Sequence, residues 1–360
     1  MAPLFKTKRK DVDTHERSES RRKRYLVLCL TLSIMLIVLI FASFYIGRFT
    51  GLDFMSVPKI LLSQVIPGIE QTWTRADEAV VMQLRLPRII GAIIVGTSLS
   101  ISGAAYQALF ANPVASPDTL GVGSSAAFGA ILGILLNLNG IGIKGLAFVT
   151  GCLAVLIVFF CASSISKGRQ LTVYLILIGM IVSSVFSALL SILKYVADPI
   201  DQLPKITYWL MGSMSHIQLD DLPFAILFFL IGAIPLLLLR WRINLLSLGD
   251  HEVRTLGENI NVLRGITVFC ATLLTSSAIA LTGTISWIGL VVPHMVRMIV
   301  GHDSRFVLPA SGLMGGVFLL FIDNLARSMT AYELPISVLT SIIGAPIFFV
   351  ILFRSKGKEL

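Results

Sequence analysis

The sequence predicts an all-α, polytopic membrane protein of about ten transmembrane helices, on three observations. Of 360 residues, 55% are apolar and 14% charged, against roughly a quarter charged in a soluble domain. That balance excludes a soluble enzyme. The charged residues leave nine charge-free stretches, at 25–47, 89–117, 119–143, 145–166, 170–193, 222–239, 265–296, 306–322 and 334–353. Most are as long as a bilayer is thick at about 1.5 Å per helical residue. Finally, nine of the 29 basic residues lie in the first 24 positions and end in Arg21, Arg22, Lys23 and Arg24, directly before an apolar run. This is the pattern of a cytoplasmic anchor, and it accounts for the net charge of +9 without nucleic acid.

The elements follow in order. The 23-residue run Tyr25 to Gly47 predicts a first span over 25–46. It exceeds a signal-peptide core and lacks an A-x-A-like site at its end, so it reads as a retained span. A second span, 86–108, opens at Pro87 between Arg85 and Arg88, and spans over 119–137, 145–164, 171–193 and 222–240 come next. The 32-residue uncharged stretch 265–296 would form a helix near 48 Å long at about 1.5 Å per residue. It therefore divides at Thr282-Gly283-Thr284 into spans 264–281 and 285–300. The last two spans run 306–323 and 335–353. An even number puts both termini on one side. Twenty of the Lys and Arg residues fall on the side of the N-terminal tail against nine on the other, so both termini are predicted to be cytoplasmic.

Residues 1–24 thus read as a basic cytoplasmic tail, 25–354 as the transmembrane domain and 355–360 as a cytoplasmic C-terminus. The aqueous segments 47–84, 194–221 and 240–264 are too short to bury cores of their own. Any energy-converting domain is expected on another chain. Ser102-Gly103 with Pro113 ten residues on, and Thr282-Gly283 with Pro293 ten residues on, form a weak internal echo. It is compatible with inverted repeats.

Ion-gradient transport places carboxylates or histidines within the membrane. Here the spans are uncharged, and His294 is the only titratable ring within one, so such coupling is disfavoured. Beside Pro293, His294 reads as a packing or capping residue. No G-x-x-x-x-G-K-[ST] loop is present, so the chain has no phosphate cradle of that type. Cys29, Cys152, Cys161 and Cys270 form no C-x-x-C and read as small core residues, with no metal site. Gly129 with Gly133 and Gly312 with Gly316 permit close helix approach, within the chain or at a dimer seam.

Segment 244–264, NLLSLGDHEVRTLGENINVLR, carries Asp250 and Arg254 at helical ion-pair spacing. Leu248, Val253 and Leu256 could share an apolar edge, and Gly249 and Gly257 bracket the turn region. It reads as a short amphipathic helix, lying on lipid or inserting into a groove of a cytoplasmic partner. Arg85, Arg88 and Arg327 sit at outer span ends, against the orientation bias. They either snorkel to lipid phosphates or meet acidic residues of an extracellular partner.

Several stretches carry a family resemblance: Leu84 to Ala130, Tyr208 to Ser213, the NLLSLG and RTLGENI segments, Gly283 to Gly312, and Glu333 to Leu352. Collinear over about residues 25 to 354, they resemble the permease subunits of the iron-siderophore and cobalamin ABC importers, the FecCD-type, type II importers. The resemblance implies ten helices and a dimer, with itself or a paralogue, around a central path. It implies an extracytoplasmic siderophore-binding protein outside and a pair of ATPase subunits inside, which use the ATP and Mg. This chain then binds no cofactor and is no enzyme. By the same resemblance, Arg85, Arg88 and Arg327 meet the binding protein. Leu248, Gly249, Asp250, Val253, Arg254, Leu256 and Gly257 meet the ATPase, and Asn112, Val114, Thr172 and Val173 form the gate. The expected function is inward movement of a ferric siderophore across a bacterial cytoplasmic membrane. A path lined by small and polar residues such as Ser98, Ser102, Gln107 and Ser183 suits a bulky chelate. The alternatives are a cobalamin or haem importer and, in another class, a gradient-driven secondary transporter or exporter.

Overall fold

The computed structural model describes residues 3–47, 49, 51–166, 171–247, 253, 255, 257–330 and 332–356. In chain order the helices are α1 (Pro3–Ser43), α2 (Ser56–Ser63), α3 (Arg75–Ala79), α4 (Leu86–Leu109), α5 (Val122–Leu135), α6 (Gly140–Ser166), α7 (Leu171–Val196), α8 (Gln202–Leu210), α9 (Leu222–Leu238), α10 (Arg240–Ile243), α11 (Ile260–Thr282), α12 (Ile288–Val300), α13 (Ser304–Ser328) and α14 (Ile336–Lys356). Each of the ten predicted spans coincides with one of these. Among the described residues, seven helical stretches are long and apolar enough to cross a bilayer alone, while α5, α12 and the apolar part of α14 are shorter.

The departures have local causes. The expected tail is not a separate element, because α1 begins at Pro3 through Lys, Arg and Glu, all good helix formers. Arg21, Arg22, Lys23 and Arg24 are exposed on it. The start expected for the third span at residue 119 is instead a 3₁₀ turn, Pro117–Leu120, closed by a Ser116–Thr119 capping box. Gly121, at φ +78°, ends that turn. The division of residues 265–296 is as expected, with α11 stopping at Thr282 and Gly283 at φ +74°. A Cβ on Gly283 would lie 2.1 Å from the Trp209 carbonyl oxygen, so only glycine fits. Trp287 also has a positive φ, +74°, which delays α12 to Ile288. The paired positions of the internal echo therefore differ in role: Gly103 lies inside α4, whereas Gly283 makes a turn.

α4 and α11 form the centre, with 78% and 83% of their apolar windows buried. The small residues of α4 explain this. A Cβ on Gly103 would fall 1.9 Å from the Gly289 carbonyl oxygen, and one on Gly96 2.2 Å from that of Gly315, so α4 meets α12 and α13 backbone to backbone, as helices do in lipid. Gly129 and Gly133 face α6, and Gly312 and Gly316 face α4. Both pairs are thus used in packing within the chain. α1 and α7 lie outside, with only 11% of their windows buried. Such all-round apolar helices suit a hydrocarbon solvent. Cys270 is buried, Cys29 and Cys152 are half-buried, and Cys161 is exposed, so the core reading of the cysteines fails for Cys161.

Two ends of the bundle follow from cross-chain contacts. At the proximal end Tyr25 of α1 packs tilted against Phe306 of α13, with ring centroids 4.9 Å apart. At the distal end Ser43 meets Asn324 and Arg327, near the other end of α13.

Candidate functional site: two polar clusters at opposite ends of the bundle

At the distal end Arg85 closes a wide, π-helical turn, Val80–Arg85, and Arg88 follows Pro87 in the first turn of α4. Their spacing puts both on one helix face. Arg327 arrives from the last turn of α13, and the three guanidiniums share one buried cluster. Its centre is Asp323, fully buried. Arg88 Nε donates to Asp323 Oδ1 at 2.8 Å, and Arg88 Nη1 donates to both carboxylate oxygens of Glu333 at 2.9 Å. Arg327 Nε lies 3.3 Å from Asp323 Oδ2. Its Nη2 donates to Asn324 Oδ1 and to the Ser43 carbonyl, and Asn324 Nδ2 donates to Ser43 Oγ. Among the described residues Arg85 pairs with no carboxylate, and it donates to the carbonyls of Phe44 and Phe49.

This corrects one expectation. The three arginines do converge, but as an internal clamp joining α1, α4 and α13: Arg85, Arg88 and Arg327 are 4%, 7% and 7% exposed. They are neither snorkelling to lipid nor presented as free cations. The physical reason is that an isolated charge in low dielectric is costly, and Asp323 and Glu333 are within reach. Three guanidiniums face two carboxylates, leaving one positive charge in excess.

Nearby, a cavity of about 810 Å³ lies between the α5–α6 turn, α8 and the end of α11, lined in part by Lys144, Tyr208, Trp209 and His216. Lys144 pairs with Asp221 at 2.6 Å.

At the proximal end α4 stops at Leu109, and Ala111, at φ +47°, turns the chain. Asn112 and Val114 are exposed on this turn, with Asn112 Oδ1 accepting from the Val114 amide at 2.9 Å. At the start of α7, Thr172 is half-buried and Val173 exposed. Their neighbours Phe110, Ala115, Leu171 and Leu175 belong to one apolar cluster. The expected path lining is corrected. Ser98, Ser102 and Gln107 are 1%, 0% and 2% exposed, because the close approaches of α4 to α12 and α13 enclose them. Only Ser183 is half-buried, with its Oγ 3.2 Å from Ser124 Oγ.

The segment expected to meet an ATPase begins as a 3₁₀ turn, Asn244–Ser247. Leu248, Gly249, Asp250, Arg254 and Leu256 lie outside the described residues. Val253 is fully buried in the chain's own apolar cluster, so it anchors the segment and cannot be part of an outward apolar edge. Gly257 is exposed at φ +76°. Arg242 pairs with Glu258 at 3.3 Å, and Asn259 caps α11 by accepting from the Asn261 and Val262 amides.

Sequence reading missed the contacts around this turn. Asn244 Nδ2 donates to Asp303 Oδ1 at 2.9 Å, and the Ser304 amide donates to Asn244 Oδ1 at 2.7 Å. Burial pushes the Asp303 carboxyl up, but hydrogen bonds from Arg305 and Asn244 outweigh this and hold it below the usual carboxylate range. On α12, Arg297 donates from Nη1 to Gln107 Oε1 and from Nη2 to the Ala104 carbonyl. His294 packs edge-on against Phe348, with centroids 5.6 Å apart, as a packing residue does.

Comparison with known proteins follows the same lines. The pattern of the FecCD transport family matches residues 35–354. The molybdate import system permease protein MolB of Haemophilus influenzae is 38% identical over 335 residues, covering 90% of this chain and 95% of that one. A probable iron chelatin transport system permease protein of Helicobacter pylori is 40% identical over 278 residues, covering 77% and 83%. Among solved structures, a metal-chelate type ABC transporter in an inward-facing conformation superposes with a TM-score of 0.80 at 36% identity, over 91% of this chain and 99% of that one.

Proposed function

The chain belongs to the FecCD transport family, and on that premise we propose that it carries a ferric siderophore inward across the cytoplasmic membrane of a bacterium. It is a multi-pass ABC importer permease of the FecCD type. The observation that supports the chelate reading is the likeness, at 36% identity and a TM-score of 0.80, to a metal-chelate type transporter. ATP and Mg are used by partner ATPase subunits, and an extracytoplasmic binding protein delivers the cargo. The proximal end is cytoplasmic and holds both termini. Two copies, identical or paralogous, enclose the path, with Asn112, Val114, Thr172 and Val173 at its inner gate. The ATPase meets Leu248, Gly249, Asp250, Arg254, Leu256 and Gly257. The surplus positive charge around Arg85, Arg88 and Arg327 favours acidic groups of the binding protein above it.

A second reading, a small oxyanion cargo, is favoured by the 38% identity to a molybdate permease over 90% of the chain. Uptake of radiolabelled ferric chelates, cobalamin, haem and molybdate by a deletion strain expressing this chain separates these. Ferric-chelate uptake is expected, and molybdate uptake alone overturns the siderophore reading. For the ATPase contact, Leu256→Asp is expected to abolish transport while the permease remains in the membrane. Normal co-purification with the ATPase and unchanged uptake would contradict it.

A further inference from the structure

The two proximal features described above, the turn Asn244–Ser247 and the turn after α4, are joined by two sets of polar contacts linked through the backbone at the end of α12, where the Gly301 amide donates to the Arg297 carbonyl at 2.8 Å. Asn244 uses both ends of one amide, donating to Asp303 and accepting from Ser304, the residues that open α13 directly after α12. Asp303 is held in turn by the Arg305 amide at 3.0 Å and by the Arg305 guanidinium. One turn before the end of α12, Arg297 grips Gln107 and the Ala104 carbonyl, and Gln107 Nε2 donates back to the Leu290 carbonyl of α12 at 3.2 Å. The Gln107 carbonyl then accepts from the Asn112 amide at 3.1 Å. Asn112 sets the turn by accepting from Val114.

α12 is built to transmit such a contact. It has 13 residues, about 20 Å at 1.5 Å per residue, and its flanks are non-helical turns, with Trp287 at φ +74° and Gly301 at φ +87°. A short helix between two such turns moves as a rod. No carboxylate lies within ion-pair distance of Arg297 among the described residues. Its charge goes entirely into neutral acceptors on α4, where low dielectric makes charge-assisted bonds stiff. Ile243, Leu246, Val296, Val300, Leu109 and Phe110 surround the line in one apolar cluster.

Resting on the reading that segment 244–264 receives the ATPase and that the turn at 111–115 gates the path, we propose that the Asn244–Asp303 clamp and the Arg297–Gln107 crossbar are positioning contacts that move the gate turn when the ATPase-side segment shifts. A rescue cycle tests the coupling. The permease–ATPase complex is reconstituted in nanodiscs with Val114→Cys, and the rate of thiol modification by a water-soluble maleimide is read with and without ATP plus vanadate. The ratio of the two rates is the readout, since a merely structural disturbance changes the nucleotide-free rate.

In the parent complex ATP changes the rate. Asn244→Asp, which sets two carboxylates against each other, abolishes that change. Adding Asp303→Asn restores it, because Asn at 303 donates to the new carboxylate, which still accepts from Ser304. Gln107→Leu abolishes the change, whereas Gln107→Glu, which keeps an acceptor for Arg297, retains it. An unaltered ATP response in Asn244→Asp or Gln107→Leu overturns the link, as does failure of the Asn244→Asp, Asp303→Asn pair to restore it. No ATP response in the parent complex sinks the underlying reading and the link with it.

Discussion

The distal clamp predicts a specific order of sensitivities. Arg88 is paired on one side with Asp323, whose side chain is 0% exposed, and on the other with Glu333, whose side chain is 26% exposed. Removing one partner of a buried pair costs about 3–5 kcal/mol, because the remaining charge is stranded. An exposed pair contributes about 0–1 kcal/mol. Arg88→Ala strands Asp323 with only the less well aligned Arg327, 3.3 Å away, so the larger figure applies. For a large domain, at about 2 °C per kcal/mol, this lowers the Tm by about 6–10 °C. Glu333→Gln lowers it by no more than about 2 °C. Removing both charges by Arg88→Met with Asp323→Asn leaves only the part-exposed Glu333 unpaired, with no buried carboxylate, and keeps an acceptor for Arg327, so part of the loss is recovered. Thermal unfolding of the purified chain in one detergent, at fixed pH and salt, reads these three variants beside the parent and the Arg88→Met and Asp323→Asn single variants. Equal Tm losses for Arg88→Ala and Glu333→Gln would refute the reasoning, as would strict additivity of the Arg88→Met and Asp323→Asn effects.

Other expectations follow from the packing and from Asp303. Gly103→Ala places a Cβ 1.9 Å from a backbone oxygen, whereas at Gly312 the nearest atoms are side-chain carbons 3.1 Å away that can give. Gly103→Ala should therefore cost at least about 1–3 kcal/mol and Gly312→Ala much less, and equal Tm values would contradict the α4–α12 contact. Val253→Asp should destabilise the chain without any partner present, since Val253 is fully buried; an unchanged Tm would return it to the surface. The folded-state pKa of Asp303 is depressed, so its contribution to stability is fully present above the ordinary carboxylate value of about 3.9 and is lost as pH falls through the lower folded value. Amide protection factors around residues 303–305, taken against intrinsic exchange at each pH, should therefore be constant between pH 8 and 5 and fall only in the acid limb, and Asp303→Asn should remove that limb. Loss of protection near pH 6 would contradict the sign.

The spans were legible because hydrocarbon demands long charge-free runs, and such runs leave a local trace in sequence. Their ends were less legible where a cap or a positive φ intervened, as at Ser116 and Trp287. α2 and α8 were missed because helices of eight and nine residues leave no comparable run. The distal arginines stand out in the sequence by their place at outer span ends, but nothing there shows that they are buried around Asp323. The acidic partners of Arg88 stand 235 and 245 residues away along the chain, where no local pattern announces them, whereas Asp323 and Arg327 are four residues apart on α13. The small and polar residues of α4 read as path lining in the sequence, and the backbone contacts at Gly96 and Gly103 show that they serve packing instead. Val253 shows the same limit, since an apolar residue on a short helix can face outward or inward until its neighbours are known.

This chain is expected to move its cargo on energy supplied by a partner ATPase. The most direct measurement is uptake of radiolabelled ferric chelate into proteoliposomes containing the permease, with and without the ATPase and binding protein, under imposed pH or sodium gradients. Uptake is expected only when ATPase, binding protein and ATP are all present, and it should persist when the gradients are collapsed. Uptake driven by either gradient through this chain alone would contradict the account.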